Sequence, residues 1–195
     1  MTGPADLAAC AGAAAGRARG TLFLVVGPSG VGKDTLIDRA RATRPDLVAL
    51  RRVVTRPADA GGEAIDSVDE ETFRTMEAAG AFALAWRAHG LAYGVPYAAA
   101  EALAAGRDVI ANVSRGVVHQ AQAVFDPVRV IVVTAAPEVR AARLAARGRE
   151  SAEEIRARLS REAPPMPSEG VTVVRNDGTL EEAVAAFLAA LQPRG

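Results

Sequence analysis

The stretch TLFLVVGPSGVGKDT, Thr21 to Thr35, restricts the fold more than any other part of the chain. An apolar run, Leu22 to Val26, ends at Gly27; a glycine-rich turn follows, and Gly32-Lys33 opens a helical pattern. This is G-x-x-x-x-G-K in the strand–loop–helix setting that such a phosphate-binding loop requires. A chain that wraps a polyphosphate must turn consecutive N–H groups inward, and glycine permits both the dihedrals and the close approach. The helix N-terminus adds partial positive charge. Lys33 adds a full one for the β- and γ-phosphates. Gly27, Pro28, Ser29, Gly30, Val31, Gly32, Lys33, Asp34 and Thr35 are therefore the expected nucleoside triphosphate site. Asp34 stands where the motif ordinarily carries a Ser or Thr for Mg²⁺, and Thr35 comes one position later.

The rest of the chain bounds the partner. With 23 acidic and 23 basic residues the net charge is zero, which argues against a nucleic-acid surface as the main function. The 195 residues suffice for one domain with a core built from Val, Leu, Ala and Ile, since only 4% are aromatic. Cys10 is the single cysteine, so no internal disulfide forms. No apolar run reaches the length of a membrane span, and the alanine-rich start lacks a basic n-region and a Leu-rich h-region. A cytoplasmic enzyme is expected, with residues 1–20 as a flexible extension and 21–195 as one domain.

Apolar runs alternate with helical patterns. Strands are expected at Thr21–Val26, Leu47–Val54, Ala81–His89, Asp108–Val113, Val128–Thr134 and Val171–Arg175. Helices are expected from Gly32 to about Thr43, Asp69–Gly80, Tyr97–Ala105, Arg115–Phe125, Pro137–Arg147, Ser151 to about Glu162, and Thr179 to about Leu191. The stretch TRPADAGGEAIDS reads as a polar loop and Gly90–Pro96 as a turn-rich segment. The sum is an α/β three-layer sandwich around a mostly parallel central sheet.

Two arginine groups stand out: Arg140, Arg143, Arg147, Arg149, Arg156, Arg158 and Arg161 around Gly148, and Arg51, Arg52 and Arg56 flanking the loop after the second strand. Arg143 and Arg147 are four apart on one helix face, and Arg158 follows the Gly148 break. Arginines on such a hinged segment can close over transferring phosphates and neutralise charge, so a lid is expected at about 143–162. Thr55 and Arg56 follow the second strand, where loops of an open α/β sheet form the ligand crevice, and read as an anion grip for an acceptor. Trp86, His89 and Tyr93 fall on a segment suited to the wall of that pocket, so the acceptor segment is expected at about 55–97.

In this order, GPSGVGK, Thr55-Arg56-Pro57, Tyr93-Gly94, RLAARG…IRARL and Asn176-Asp177 resemble the guanylate kinase family over nearly all of residues 21 to 192. The guanine-reading positions depart from it: Leu84 replaces a glutamate, Asn112 and Ser114 replace two acids, and the family's second arginine after the TR-P turn is missing, Asp59 standing nearest to its place. A purine would lose its hydrogen-bonding carboxylates. The departures, GPSGxGKD, Thr55 to Glu63, ALAWRAHGLAYGV, DVIANVSRG, RGRE and NDG, resemble the guanylate kinase-like ribose 1,5-bisphosphate phosphokinase family of phosphonate breakdown. That resemblance implies ATP and Mg²⁺, and transfer of the γ-phosphoryl to the 1-phosphate of ribose 1,5-bisphosphate, giving 5-phosphoribosyl 1-diphosphate (PRPP) and ADP. It implies no nucleic-acid or membrane partner, and it leaves the oligomeric state open.

An acceptor that is already an ionised phosphate needs no strong base, so positioning and charge neutralisation are expected to carry catalysis. Lys33, Arg143, Arg147 and Arg158 are the expected catalytic residues, and Thr55, Arg56, Trp86 and Tyr93 the acceptor site. Asn176 and Asp177 lie where related kinases hold the adenine, and are expected to bind it through local backbone and side-chain contacts. Because Asn112 ends a strand that usually supplies an acid, Asp34 is expected to bind Mg²⁺ in its place, unless it only stabilises the helix N-terminus. A nucleoside monophosphate kinase, a non-catalytic guanylate kinase-like binding module and a hydroxyl-directed sugar kinase remain as alternatives.

Overall fold

The computed structural model describes residues 19–56, 65–88, 90–146, 148, 152–159 and 170–192. Its strands are β1 (Leu22–Val26), β2 (Val48–Ala49), β3 (Arg52–Val54), β4 (Ile65–Ser67), β5 (Phe82–Ala88), β6 (Leu91–Pro96), β7 (Val109–Asn112), β8 (Val128–Thr134) and β9 (Val171–Arg175). Its helices are α1 (Lys33–Thr43), α2 (Glu70–Ala78), α3 (Ala98–Ala104), α4 (Val118–Val124), α5 (Pro137–Ala146), α6 (Ala152–Leu159) and α7 (Leu180–Ala190). Five strands pair in the order β2-β7-β1-β8-β9, and four in the order β4-β3-β6-β5. The β2/β7 and β8/β9 pairings are parallel, as the alternation of strands and helices predicts.

The chain divides into two compact units. The described residues of one fall within Met1–Leu22, Asp46–Ala111 and Val117–Val128; those of the other fall within Phe23–Pro45, Asn112–Gly116 and Arg129–Gly195.

The first unit holds the four-stranded sheet. β6 runs antiparallel to both β3 and β5, and β4 lies parallel to β3. Side chains alternate across a strand, so one face presents Val53, Ala85 and Ala92 to α2, where Phe73 is fully buried and stacks on Phe82 with ring centroids 4.7 Å apart. Asp69 starts α2 by accepting from Thr72 N–H at 2.6 Å. Three expectations are corrected in this unit. Leu47–Val54 is not one strand: β2 joins the five-stranded sheet and β3 the four-stranded one. The presumed polar loop after Thr55 contains β4, paired to β3. Gly90–Pro96 contains strand β6 rather than turns. Gly94 misled because it serves packing: a Cβ there would overlap the Phe82 ring.

The second unit is built on β1, whose buried Leu24, Val25 and Val26 match the expected central strand. In this unit α1 and α7 pack together, with Arg44 Nη1 donating to Leu191 O at 3.1 Å at the end of α7. Thr179 and Glu182 form a complete capping box at its start. The helix expected at Arg115–Phe125 begins as a 3₁₀ turn, Arg115–Val117, before α4. Among the described residues no helix is long and apolar enough to cross a membrane.

Candidate functional site

The loop between β1 and α1 is shaped by its glycines. Gly32 is the N-cap of α1 with φ +88°, a conformation that L side chains resist, and having no side chain it supplies no cap to that helix start. The first-turn amides of α1 are thus left without a cap from this residue, as an anion site requires. Lys33 Nζ donates to Gly27 O at 2.8 Å and to Pro28 O at 3.2 Å, so the ammonium lies along the loop's rim. Pro28, Ser29 and Gly32 are half-buried, Gly30 and Val31 buried, and Thr35 exposed.

Asp34 lies in the first turn of α1, where a negative charge complements the helix dipole. Its Oδ1 accepts from Asn112 Nδ2 at 2.9 Å, and Asn112 is buried at the end of β7. A carboxylate has about four lone-pair sites, so the bond to Asn112 takes up only a part of its accepting capacity. The donor set fits a hard cation, which takes oxygen ligands from one or two carboxylates and phosphate.

Helix α5 grips the same loop from its outer side. Arg140 is buried, and its Nε donates to Ser29 O at 3.0 Å. Burial holds its guanidinium below the ordinary arginine value, because desolvation penalises the charged form. An added Cβ on Gly30 would stand 3.1 Å from both Arg140 O and Leu144 Cγ, so α5 packs directly on the loop backbone. Arg143, from the next turn, donates through Nη2 to Asn176 Oδ1 at 3.5 Å. Its Nη1 is buried without a hydrogen-bond partner among the described residues.

Asn176 follows β9 and is only 3% exposed. Its Nδ2 donates to Val31 O at 2.7 Å, so the carboxamide is taken up by the loop and by Arg143. Asp177 Oδ1 accepts from Ala136 N–H. Both side chains of the turn associated with adenine therefore bond to protein. Arg147 lies outside the described residues, and for Arg158 only its place on α6 is described.

The acceptor candidates gather in the four-stranded sheet. Trp86 and Tyr93 are opposite each other on β5 and β6, and their rings stack at 5.3 Å with 8° between planes. Arg52, on the same face of β3, places its guanidinium 5.6 Å from the Tyr93 ring centroid. Thr55 extends this sheet edge: its N–H donates to Ala92 O at 3.0 Å and its hydroxyl accepts from Ala92 N–H at 2.8 Å. Arg56 follows, half-buried, and His89 lies outside the described residues. Leu84, at the position of a guanine-reading glutamate in the resemblance, is buried at 2% exposure.

Sequence reasoning gave no individual role to Arg140 or Arg52 and did not find the loop contact of Asn176. Arg140 shares a helix face with Leu144, four residues on, and that spacing was the available signal. Nothing in the sequence distinguishes Asn176 as buried.

A family model described as an AAA domain matches residues 22–163. The ribose 1,5-bisphosphate phosphokinase PhnN of Ruegeria sp. (strain TM1040) is 47% identical over 178 residues, covering 90% of this chain and 93% of the relative. The protein of the same name from Acidiphilium cryptum is 50% identical over 175 residues, covering 88% and 92%. A bifunctional ribose 1,5-bisphosphokinase-thymidine phosphorylase of Cupriavidus pinatubonensis is 48% identical over 177 residues; this chain spans 29% of its length. Among solved structures, a guanylate kinase from Anaplasma phagocytophilum aligns at TM-score 0.64 and 19% identity, covering 90% of this chain and 86% of that one, which speaks for the fold alone.

Proposed function

Because the chain belongs to the ribose 1,5-bisphosphate phosphokinase PhnN family, we propose that it phosphorylates ribose 1,5-bisphosphate at its 1-phosphate with ATP, releasing PRPP and ADP. The observation that carries this reading is the 47–50% identity maintained over about nine-tenths of both chains in relatives of that name.

In this reading the loop amides and Lys33 hold the β- and γ-phosphates of ATP. Thr35 lies toward the α- or β-phosphate. The turn at Asn176 and Asp177 borders the adenine through its main chain, since its side chains are engaged elsewhere. Arg143, with Arg147 and Arg158 of the lid, neutralises charge on the transferring group. Arg56 holds an acceptor phosphate beside Thr55, and the Trp86–Tyr93 stack offers a flat apolar surface to the sugar. The bond from the γ-phosphorus to the ADP oxygen breaks as one forms to an oxygen of the acceptor's 1-phosphate. That oxygen is already ionised, so no protein base is required. Asp34 would hold Mg²⁺, which supplies charge neutralisation across the phosphates. The reaction is assigned to the cytoplasm, with all of 21–195 acting as one catalytic domain.

The fold alone would also suit a guanylate-type kinase, but Leu84, which is buried, and Asn112 offer a purine no carboxylate at the positions where the resemblance places guanine-reading acids. The test is ADP release with ribose 1,5-bisphosphate, GMP and AMP in parallel, with phosphorus NMR of the product. A diphosphate signal with the sugar bisphosphate alone is expected. Turnover of GMP or AMP in its place would overturn the reading.

A further inference from the structure

We propose that Asn176 is a positioning residue that couples the phosphate loop to Arg143 and thereby aims Arg143 at the terminal phosphate of a bound nucleoside triphosphate. The inference rests on the reading above that this loop binds the donor's phosphates.

Three observations carry it. Asn176 is buried, and its Nδ2 donates to Val31 O, in the centre of the loop, at 2.7 Å. Its Oδ1 accepts from Arg143 Nη2 at the long distance of 3.5 Å. The opposite amide orientation would set oxygen against the Val31 carbonyl and NH₂ against a guanidinium, so the network fixes the assignment. Finally, Arg143 Nη1 is buried and unpartnered among the described residues, and a Cβ added at Gly32 would lie 3.9 Å from it. The free nitrogen thus stands beside the residue that precedes Lys33.

A guanidinium presents its N–H groups in a rigid fork. With Nη2 held by Asn176, Nη1 faces the loop without further search, and the ordering cost is met before the nucleotide arrives. An unpaired, buried N–H gains most from an anionic acceptor. The same carboxamide holds the loop by Val31, so loop geometry and arginine aim are set by one side chain. Gly32 is required for this: a Cβ there would stand 2.7 Å from Asn176 Nδ2.

The test needs no acceptor substrate. Fluorescent mant-ATP and mant-ADP are titrated against the full chain and the ratio of their affinities is taken as the strength of γ-phosphate recognition. Arg143→Ala and Asn176→Ser are each expected to lower that ratio roughly tenfold, the scale of one charge-assisted hydrogen bond. The double variant is expected to go no lower, because the two act as one unit. Asn176→Asp keeps the acceptor for Arg143 but loses the donor to Val31 O. It should weaken both nucleotides together with the ratio retained. If Asn176→Ser does not fold, Arg143→Lys carries the test, because a point charge cannot span Asn176 and a phosphate, and it should lose as much discrimination as Arg143→Ala. Multiplying losses in the double variant, an unchanged ratio in Asn176→Ser, or a wild-type ratio in Arg143→Lys would overturn the proposal. A wild type that binds neither nucleotide overturns the functional reading itself.

Discussion

Asn112 Nδ2 donates to Asp34 Oδ1 at 2.9 Å, joining the end of β7 to the residue after the loop lysine. Two of the positions where the chain departs from the wider motifs, the helix start and the strand end, are thus in contact. An amide on the strand and a carboxylate on the helix form a pair that presents one negative charge, as an acid on the strand and a hydroxyl on the helix would.

Asp34→Ser is therefore expected to raise the Mg²⁺ concentration for half-maximal rate by about tenfold or more, since a carboxylate is a far better Mg²⁺ ligand than a hydroxyl. Asn112→Asp in the same variant should recover part of the loss by returning the charge to the strand. The check is initial rate against free Mg²⁺. An Asp34→Ser protein with wild-type Mg²⁺ dependence means that Asp34 serves only the helix N-terminus.

Arg140 makes a different prediction, because its guanidinium is buried and its Nε holds Ser29 O. Arg140→Ala removes that hydrogen bond and a buried side chain from the contact between α5 and the loop. It should lower unfolding free energy by about 2 kcal/mol and raise the KM for ATP, with the KM for the acceptor unchanged. Urea unfolding followed by steady-state kinetics separates the two effects.

Removal of Trp86 should read out on the acceptor alone. Its ring is one half of the parallel stack with Tyr93. Trp86→Ala is expected to raise the acceptor KM roughly tenfold, on the scale of one lost aromatic contact, with affinity for mant-ATP unchanged. Equal losses for both ligands would show that the residue only supports the sheet.

Two helix caps set a pH dependence. Backbone N–H donation from Thr72 to Asp69, and from Thr179 to Glu182, holds both carboxyls below their ordinary values. A depressed folded value means the unfolded chain takes up these protons first as pH falls. The stabilisation is therefore present above the ordinary carboxylate range and is lost as pH drops through the folded values. Asp69→Asn combined with Glu182→Gln should flatten the change in urea midpoint between about pH 6 and about pH 3.

Much of the fold was legible because burial on both faces leaves a continuous apolar run. Leu22–Val26 and Val128–Thr134 announce themselves that way. The smaller sheet did not, for particular reasons. The chain between Val48 and Val54 passes from one sheet to the other with only Leu50 and Arg51 between strands, and no composition change marks the step. Gly94 and Pro96 look like turn residues, yet one makes room for Phe82 and the other ends the strand. In the site, the residue types were readable and their contacts were not. The loop sequence points to a phosphate ligand; it cannot show that Ser29 O accepts from Arg140 or Val31 O from Asn176.

Those last contacts bear on whether the loop could be moved to another scaffold. Its heptapeptide looks like a portable cassette, but its curvature is shared property. Gly30 takes its shape against Arg140 and Leu144, and Gly32 against Asn176, residues that arrive more than a hundred positions later. A graft of Gly27–Lys33 alone would carry the donors without their mould. A working transplant would have to bring the first turns of α5 and the residue after β9 with it.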